Sequence, residues 1–412
     1  MEAKPRSTSN TASAAFSRRG FLKASTTLAA VAAQVPSFGQ SGSGQVLAYI
    51  GAYTGKGKGI NIFNVNTTDG ALTPTKIFTA VQDPSSIALH PNKKFLYAVS
   101  EISNYNGTTT GSVTSMSIDS GTGDLRVMNV VSSGGGGPAY VSVDPSGKWA
   151  FAANYGGGSA AVFPIMADGS LGAASDVKKI TGPLGASNPA MEAPPGSFAD
   201  SGHDAPHAHQ VESDPKSNYV FVSDLGTDRI YVYALDKQNG MLTPANPAFV
   251  QGSFGSGPRH FVFHPNGRLV YAITEESSTM LVMDYDSASG KLTYKGQTAS
   301  TLPPGFTGTS FASGIHISPD GKFLYGLNRL FDSVVIFDIN PDGWLLNPRW
   351  EWTRGSYPRE LGVEPNGNFM YVAHSRSDNV TVFRINSTTG NLTFTNRWVP
   401  VGNPSSIVFL TL

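Results

Sequence analysis

One short pattern recurs along this 412-residue chain and limits its fold more than any other feature. Residues 84–101 read PSSIALHPNKKFLYAVSE, 258–275 read PRHFVFHPNGRLVYAITE, and 358–375 read PRELGVEPNGNFMYVAHS. Each has a short alternating run, a polar turn centred on proline, and a second apolar run. Residues 138–155, 208–225 and 312–329 follow the same plan. The copies begin at Pro84, Pro138, Ala208, Pro258, Ala312, Pro358 and Pro404, at intervals of 54, 70, 50, 54, 46 and 46 residues.

A period of this length marks one supersecondary unit repeated many times. Alternation of apolar and polar residues argues for strands. Runs such as SVTSMSID (112–119) and DSVVIFDI (332–339) close each copy, which implies about four strands per copy. Four-stranded sheets repeated around an axis form a propeller, so the reading is all-β, with seven blades in one domain over residues 40–412. The seventh copy stops after one strand, PSSIVFL (404–410). Its missing second strand stands at the other end, VLAYIGA (46–52). Pairing of these two would shut the ring and leave no open sheet edge. Pro-Asn-Gly, Pro-Ser-Gly and Pro-Asp-Gly between the first two strands suit tight turns, with proline presetting φ and glycine accepting positive φ.

In a propeller the first strand of each blade lines the central channel. It is antiparallel to the second, so the start of one and the end of the other meet at one channel mouth. The residue after each copy's start gives a first ring: Ser85, Ala139, His209, Arg259, Ser313, Arg359 and Ser405. The residue 17 beyond each start gives a second: Ala52, Glu101, Tyr155, Leu225, Glu275, Arg329 and Ser375. His209, Arg259, Glu275 and Arg329 stand out and come from three consecutive blades. Arginine offers a planar fork for carboxylate or phosphate. Glu275 or His209 can serve as general base. Glu101, Tyr155 and Arg359, with Arg259 and Arg329, are the candidate substrate-binding residues. The bland alternative is a solvated polar mouth, with Arg259 and Glu275 paired only to hold their own blade. The insertion 183–207 precedes the His209 strand and is expected to overhang the same mouth, as long loops often do at binding sites.

The N-terminus reads as an address. Residues 17–23, SRRGFLK, precede a short apolar run from Ala24 to Val35. A basic start, a short apolar stretch and small residues make a secretion signal. The paired Arg18 and Arg19 with Phe21, Leu22 and Lys23 resemble the twin-arginine export signal. The expected location is therefore periplasmic or secreted, with residues 1–39 removed and no membrane association afterwards. The run is too short for a span of about 20 residues. Lys plus Arg and Asp plus Glu both total 29, so no basic footprint for nucleic acid exists. Residues 1–39 hold five basic residues and one acid, so the remaining chain carries a net charge of −4. The absence of cysteine excludes disulfides and thiolate chemistry.

Several stretches together resemble the lactonase-type seven-bladed propellers, a family that includes propeller-type 6-phosphogluconolactonases and the fungal carboxymuconate cyclase. They are HAHQV (207–211), DLGTDRI (224–230), GPRHFVFHPNGR (257–268), IHISPDGKFLYGLNR (315–329), YIGAYT (49–54) and NYGGGSA (154–160). The resemblance covers residues 46–412. It implies a metal-independent site of one histidine, two arginines and a glutamate at the channel mouth, which by motif position are His209, Arg259, Arg329 and Glu275. Two departures matter. The family commonly has Asn-Glu-Leu where this chain has Thr274, Glu275 and Glu276, and the second acid is expected to weaken anion binding. Leu330 and Phe331 follow Arg329, where a glycine often stands, which makes the mouth more apolar.

His203, His207 and His209, with Asp204 among them, have spacing that can hold zinc. The loop composition and the resemblance argue instead for no metal and no cofactor. No HExxH and no GxSxG occur, which disfavours a zinc peptidase and a serine hydrolase of those types. Gly55 to Gly59 lack the pattern of a phosphate-binding loop. His90, His264 and His316 fall in first strands or their turns and read as structural. The leading reading is an exported hydrolase of a sugar-type lactone, acting as a monomer on a small molecule. The alternatives are a muconate-type lactonising cyclase and a non-catalytic binding propeller.

Overall fold

The computed structural model describes residues 44–197 and 202–412. The proposed export signal therefore lies outside the described residues. The described chain forms seven four-stranded antiparallel sheets. The first strands of adjacent blades lie side by side all the way round, from the strand Ile87–Leu89 through Pro138–Val143, Ala208–Ser213, Pro258–Phe263, Phe311–Ile317 and Pro358–Val363 to Pro404–Thr411. Blade 1 joins both ends of the chain. Its innermost strand, Pro404–Thr411, pairs antiparallel with Val46–Ala52, followed by Gly59–Val65 and Leu72–Phe78. Blades 2 to 7 follow in chain order.

The apolar residues divide into seven clusters, and each spans two adjacent blades. Ile50, Val65 and Ile407 of blade 1, for example, pack on Phe369, Tyr371 and Val382 of blade 7. The core is thus a ring of sheet-on-sheet interfaces. Tyrosines of the second strands tie these interfaces together. Tyr49, Tyr97, Tyr271, Tyr325 and Tyr371 donate to the carbonyls of Gly123, Gly169, Gly343, Gly390 and Gly70 in the next blade, at 2.7–3.0 Å. These glycines have positive φ, and a side chain at Gly70 or Gly123 would collide with neighbouring residues. His90 and His264 make matching contacts to the carbonyls of Gly147 and Gly321, which supports their structural reading.

The turn after the first strand behaves as its sequence suggests. Gly147, Gly267, Gly321 and Gly367 take positive φ there. Where glycine is missing, Lys93 and Ser217 adopt the same conformation.

Candidate active site

One irregularity of the inner strands aims the ring residues. Pro258 pairs with Thr274 and His260 with Ile273, so Arg259 is an extra residue in a β-bulge. The same slip occurs at Ala139, His209, Arg359 and Ser405, and around Ser313 and Gly314. A bulge bends its strand and re-aims the unpaired side chain. In these six blades the residue after the copy's start is therefore released from the ladder. The bulge backbone is secured by neighbours, as Ser223 Oγ donates to the Arg259 carbonyl at 2.6 Å and Ser313 Oγ to that of Pro358 at 2.7 Å.

Three of the four principal candidates are in direct contact. Oε2 of Glu275 lies 3.1 Å from Nε of Arg259 and 2.8 Å from Nη2 of Arg329. These side chains are 12, 2 and 5 % exposed, so water screens the contacts little. The pair within blade 5 is thus extended to blade 6 through Arg329. Arg329 also donates from Nε to the Phe311 carbonyl at 3.2 Å and from Nη2 to that of Ala312 at 3.0 Å. Burial pushes the Glu275 carboxyl up, but Arg329 and Arg259 outweigh it and hold it below the usual range. Burial, then the nearby Arg329, lowers Arg259 to about 10.

His209 stands beside this group. Its ring meets His260 edge to face at 5.0 Å and Tyr155 at 5.6 Å. His260 in turn lies 3.3 Å from Nη1 of Arg259 through both ring nitrogens. Nδ1 of His209 is buried without a hydrogen-bond partner. Burial, then the charges of Arg259, His260, Arg359 and Arg329, hold this imidazole well below its ordinary pKa, so it is neutral at physiological pH. Deeper along the inner strands, Glu360 Oε2 is 3.6 Å from Nδ1 of His260.

Glu101 and Arg359 meet through a residue the repeat arithmetic passed over. Tyr53 donates to Oε2 of Glu101 at 2.6 Å and accepts from Nη2 of Arg359 at 3.0 Å. Arg359 and Glu101 are themselves 3.9 Å apart. Tyr53, not Ala52, is the second-ring residue of blade 1, because Pro404 pairs with Ala52 as Pro258 pairs with Thr274, and Tyr53 N–H donates to the Asn403 carbonyl as Glu275 N–H donates to that of Gly257. Its place in YIGAYT was the available signal. Tyr155 stacks on His207 at 4.3 Å. Leu225 of the second ring is fully buried. Arg259 and Arg329 thus share Glu275, Arg359 faces Glu101, and Glu360 lies near enough to act on Arg259 and Arg359.

The second acid at this position behaves differently from the sequence expectation. Glu276 is buried, and its Oε2 is 2.8 Å from Nδ1 of His203 in the insertion. Its charge is matched there rather than added to that of Glu275. The three clustered histidines also separate. His203 bridges Glu276 and Asp228, His207 pairs with Asp204, and His209 stands against His260. Among the described residues, no group of three or more His, Asp or Glu is arranged to hold a metal ion.

The described part of the insertion runs along the loops of later blades. Gly185 N–H donates to the Gly226 carbonyl, and Gly308 N–H donates to that of Pro195. A cleft of about 390 Å³ lined by Pro194, Pro195, Phe306 and Trp350 contains none of the ring residues. The apolar departure after Arg329 is visible as a patch. Leu330 is exposed, and Phe331 packs between Phe306 and Trp352 at 5.2 and 5.1 Å.

Comparison with known proteins agrees with this architecture. Residues 47–409 match the family model described as lactonase, 7-bladed beta-propeller. The chain is 31 % identical over 369 residues to a 6-phosphogluconolactonase of Bacillus subtilis, covering 88 % of this chain and 98 % of that one. It is 34 % identical over 322 residues to a 6-phosphogluconolactonase of Formosa agariphila, covering 76 and 85 %. The solved structure of a periplasmic gluconolactonase from Pseudomonas aeruginosa superposes with a TM-score of 0.78 at 32 % identity, covering 89 and 99 %. The chain belongs to the family of seven-bladed β-propeller lactonases.

Proposed function

We propose that this protein hydrolyses a sugar-type lactone at the mouth of the propeller channel, with His209, Arg259, Glu275 and Arg329 as the catalytic group. The observation that carries this reading is a single carboxylate oxygen of Glu275 held between two guanidiniums, beside an imidazole with a free buried nitrogen. Relatives named for 6-phosphogluconolactone and gluconolactone hydrolysis point to the same substrate class.

In this mechanism water attacks the lactone carbonyl carbon and the carbonyl oxygen becomes an oxyanion. Arg259 and Arg329 stabilise that charge, where fixed donors help most. The ring C–O bond then breaks and the ring oxygen leaves as a hydroxyl. His209 takes a proton from the water and returns it to the departing oxygen. The carboxylic acid formed loses its own proton to solvent, so the products are a hydroxy-carboxylate and a proton. Glu275 is a poor base because both guanidiniums stabilise its ionised form. Its role is to fix the two arginines. Arg359, Tyr53, Glu101 and Tyr155 would hold the substrate's hydroxyl or anionic groups. No metal or cofactor takes part.

Export, if the N-terminal segment acts as the twin-arginine signal it resembles, would bring the enzyme to unphosphorylated lactones outside the cytoplasm. A binding propeller is the competing reading, and the Phe306, Phe331 and Trp352 patch is the observation in its favour. One experiment separates the two. Hydrolysis of 6-phosphogluconolactone, gluconolactone, galactonolactone and a muconolactone is followed with a chelator present, for wild type and Arg259→Ala. We expect turnover that resists the chelator and is lost in the variant. No rate above spontaneous hydrolysis on any of these would favour the binding propeller.

A further inference from the structure

The residue just before the proline that opens a blade is left-handed in five blades. Asp83, Gly137, Gly257, Tyr357 and Asn403 have φ of 44, 53, 63, 63 and 41°. Glycine reaches this region freely, and Asn and Asp are the other residues enriched there. Four of the five positions follow that rule. Tyr357 breaks it, because a bulky aromatic residue in this conformation is an outlier held in place by its surroundings.

Its backbone is held as those of Gly257 and Asn403 are. The N–H of Tyr357 donates to Oδ1 of Asp332 at 2.8 Å. Asp228 holds the N–H of Gly257 at 2.8 Å, and Asp378 holds that of Asn403 at 2.9 Å. The strap from the preceding turn therefore accepts Gly or Asn equally well, and does not ask for a tyrosine. The reason for one must lie in the side chain.

That side chain lies between two guanidiniums. Cζ of Arg376 is 3.9 Å from the ring centroid and Cζ of Arg329 is 5.1 Å from it. Both distances suit a cation–π contact. The phenolic oxygen accepts from Nη1 of Arg329 at 3.4 Å. The other nitrogens of Arg329 are committed, Nε to Phe311 and Nη2 to Ala312 and Glu275. Guanidinium carries five N–H groups. These contacts engage four and leave one on Nη1.

We propose that Tyr357 is a positioning residue for Arg329, which directs the remaining Nη1 hydrogen toward the ligand. Its effect on turnover rests on the lactonase reading above, but its effect on Arg329 does not. Glycine at 357 removes the ring and suits the left-handed backbone, while phenylalanine keeps the ring and removes only the hydroxyl.

The test compares wild type, Tyr357→Gly and Tyr357→Phe by three measurements. These are labelling of Arg329 by phenylglyoxal read by peptide mass spectrometry, kcat and KM on the lactone panel, and thermal denaturation. Tyr357→Gly should keep or raise the melting temperature and label at Arg329 several-fold faster. Its kcat should fall by about tenfold to a hundredfold, the scale set by misplacing a catalytic group. Tyr357→Phe should label close to wild type and lose less kcat. Unchanged Arg329 labelling in Tyr357→Gly would overturn the proposal, whatever happens to activity. So would a fall in melting temperature that accounts for the whole loss. A wild type without lactone turnover would refute the functional reading alone, and labelling would still decide the role of Tyr357.

Discussion

Nδ1 of His203 lies 2.8 Å from Oε2 of Glu276, and both side chains are almost wholly buried. Nε2 of the same ring lies 3.0 Å from Oδ1 of Asp228, so the imidazole sits between two carboxylates. Burial alone would lower its pKa, but Asp228 and Glu276 outweigh burial and raise it to about 10. Asp228 also accepts the N–H groups of Gly255 and Gly257. This clamp joins the returning end of the insertion to the turns of blades 4 and 5, next to Glu275.

Replacing His203 by alanine leaves two buried carboxylates without their cation. Breaking a buried pair in this way costs about 3–5 kcal/mol. The sign of the pH effect follows from the raised pKa. The stabilisation is full below the unfolded value of about 6.5 and is lost as pH rises through about 10. Urea denaturation of wild type and His203→Ala should therefore differ most near pH 6 and converge towards pH 10. A gap independent of pH would mean that His203 acts by packing alone.

Arg329→Ala should lower kcat/KM about a hundredfold to a thousandfold, the range seen when one oxyanion donor is removed. Glu275→Gln should also lose activity, since both guanidiniums lose the charge that fixes them. It should unfold more easily as well, because two buried cations are left facing a neutral amide. Steady-state kinetics with melting curves on both variants test this. Wild-type rates in both would exclude the cluster from the reaction.

The pH profile can identify the base. His209 stays neutral well below the ordinary histidine range because of burial and the neighbouring arginines. The rate on neutral gluconolactone should therefore hold level from about pH 8 to below pH 6.5, and fall only in more acid solution. An anionic substrate bound to the arginines would offset their charge and raise the His209 pKa. For 6-phosphogluconolactone the acid limb of kcat should then lie at higher pH than that of kcat/KM. Coincident limbs would argue against His209 as the base.

Much of this was legible because the repeat has a clear period. Counting from Pro258 and Ala312 was enough to bring Arg259, Glu275 and Arg329 to one place, although they lie up to 70 residues apart. The bulge that releases Arg259 left no mark in the sequence, but it recurs in six blades and so did not disturb the count. Contacts that obey no period stayed hidden. The partner of Glu276 is His203, 73 residues away in an insertion without a counterpart. Tyr53 holds the second-ring place in blade 1, where the break between the chain's two ends put the count one residue early at Ala52, and Tyr357 stands two residues before Arg359, where the rings alone gave no reason to look.

Two acids on the inner strands make a separate case. Burial pushes both Glu212 and Glu360 up to about 7. A carboxyl raised in the folded state favours folding least where it must ionise, so stability should fall as pH rises from about 4.5 through 7. Glu212→Gln removes that burden and keeps the amide within reach of Gln210, which now donates to Glu212 at 2.9 Å. The variant should match wild type at pH 5 and exceed it at pH 8 by on the order of 1–3 kcal/mol. Equal stability at both pH values would show that Glu212 ionises in the fold as freely as in water.

The ring closure can be tested at one hydroxyl. Tyr371 in blade 7 donates to the Gly70 carbonyl in blade 1 at 3.0 Å, and its ring meets Phe409 of the last strand at 5.1 Å. Tyr371→Phe keeps the ring and leaves a buried carbonyl unpaired, which costs about 1–3 kcal/mol. Tyr325→Phe removes the equivalent bond to Gly390 between blades 6 and 7, where the chain is continuous. If the closure is the weakest seam, unfolding should speed up more in Tyr371→Phe than in Tyr325→Phe, measured as unfolding rates in urea. Equal rates would mean that the two-ended blade is held as firmly as any other.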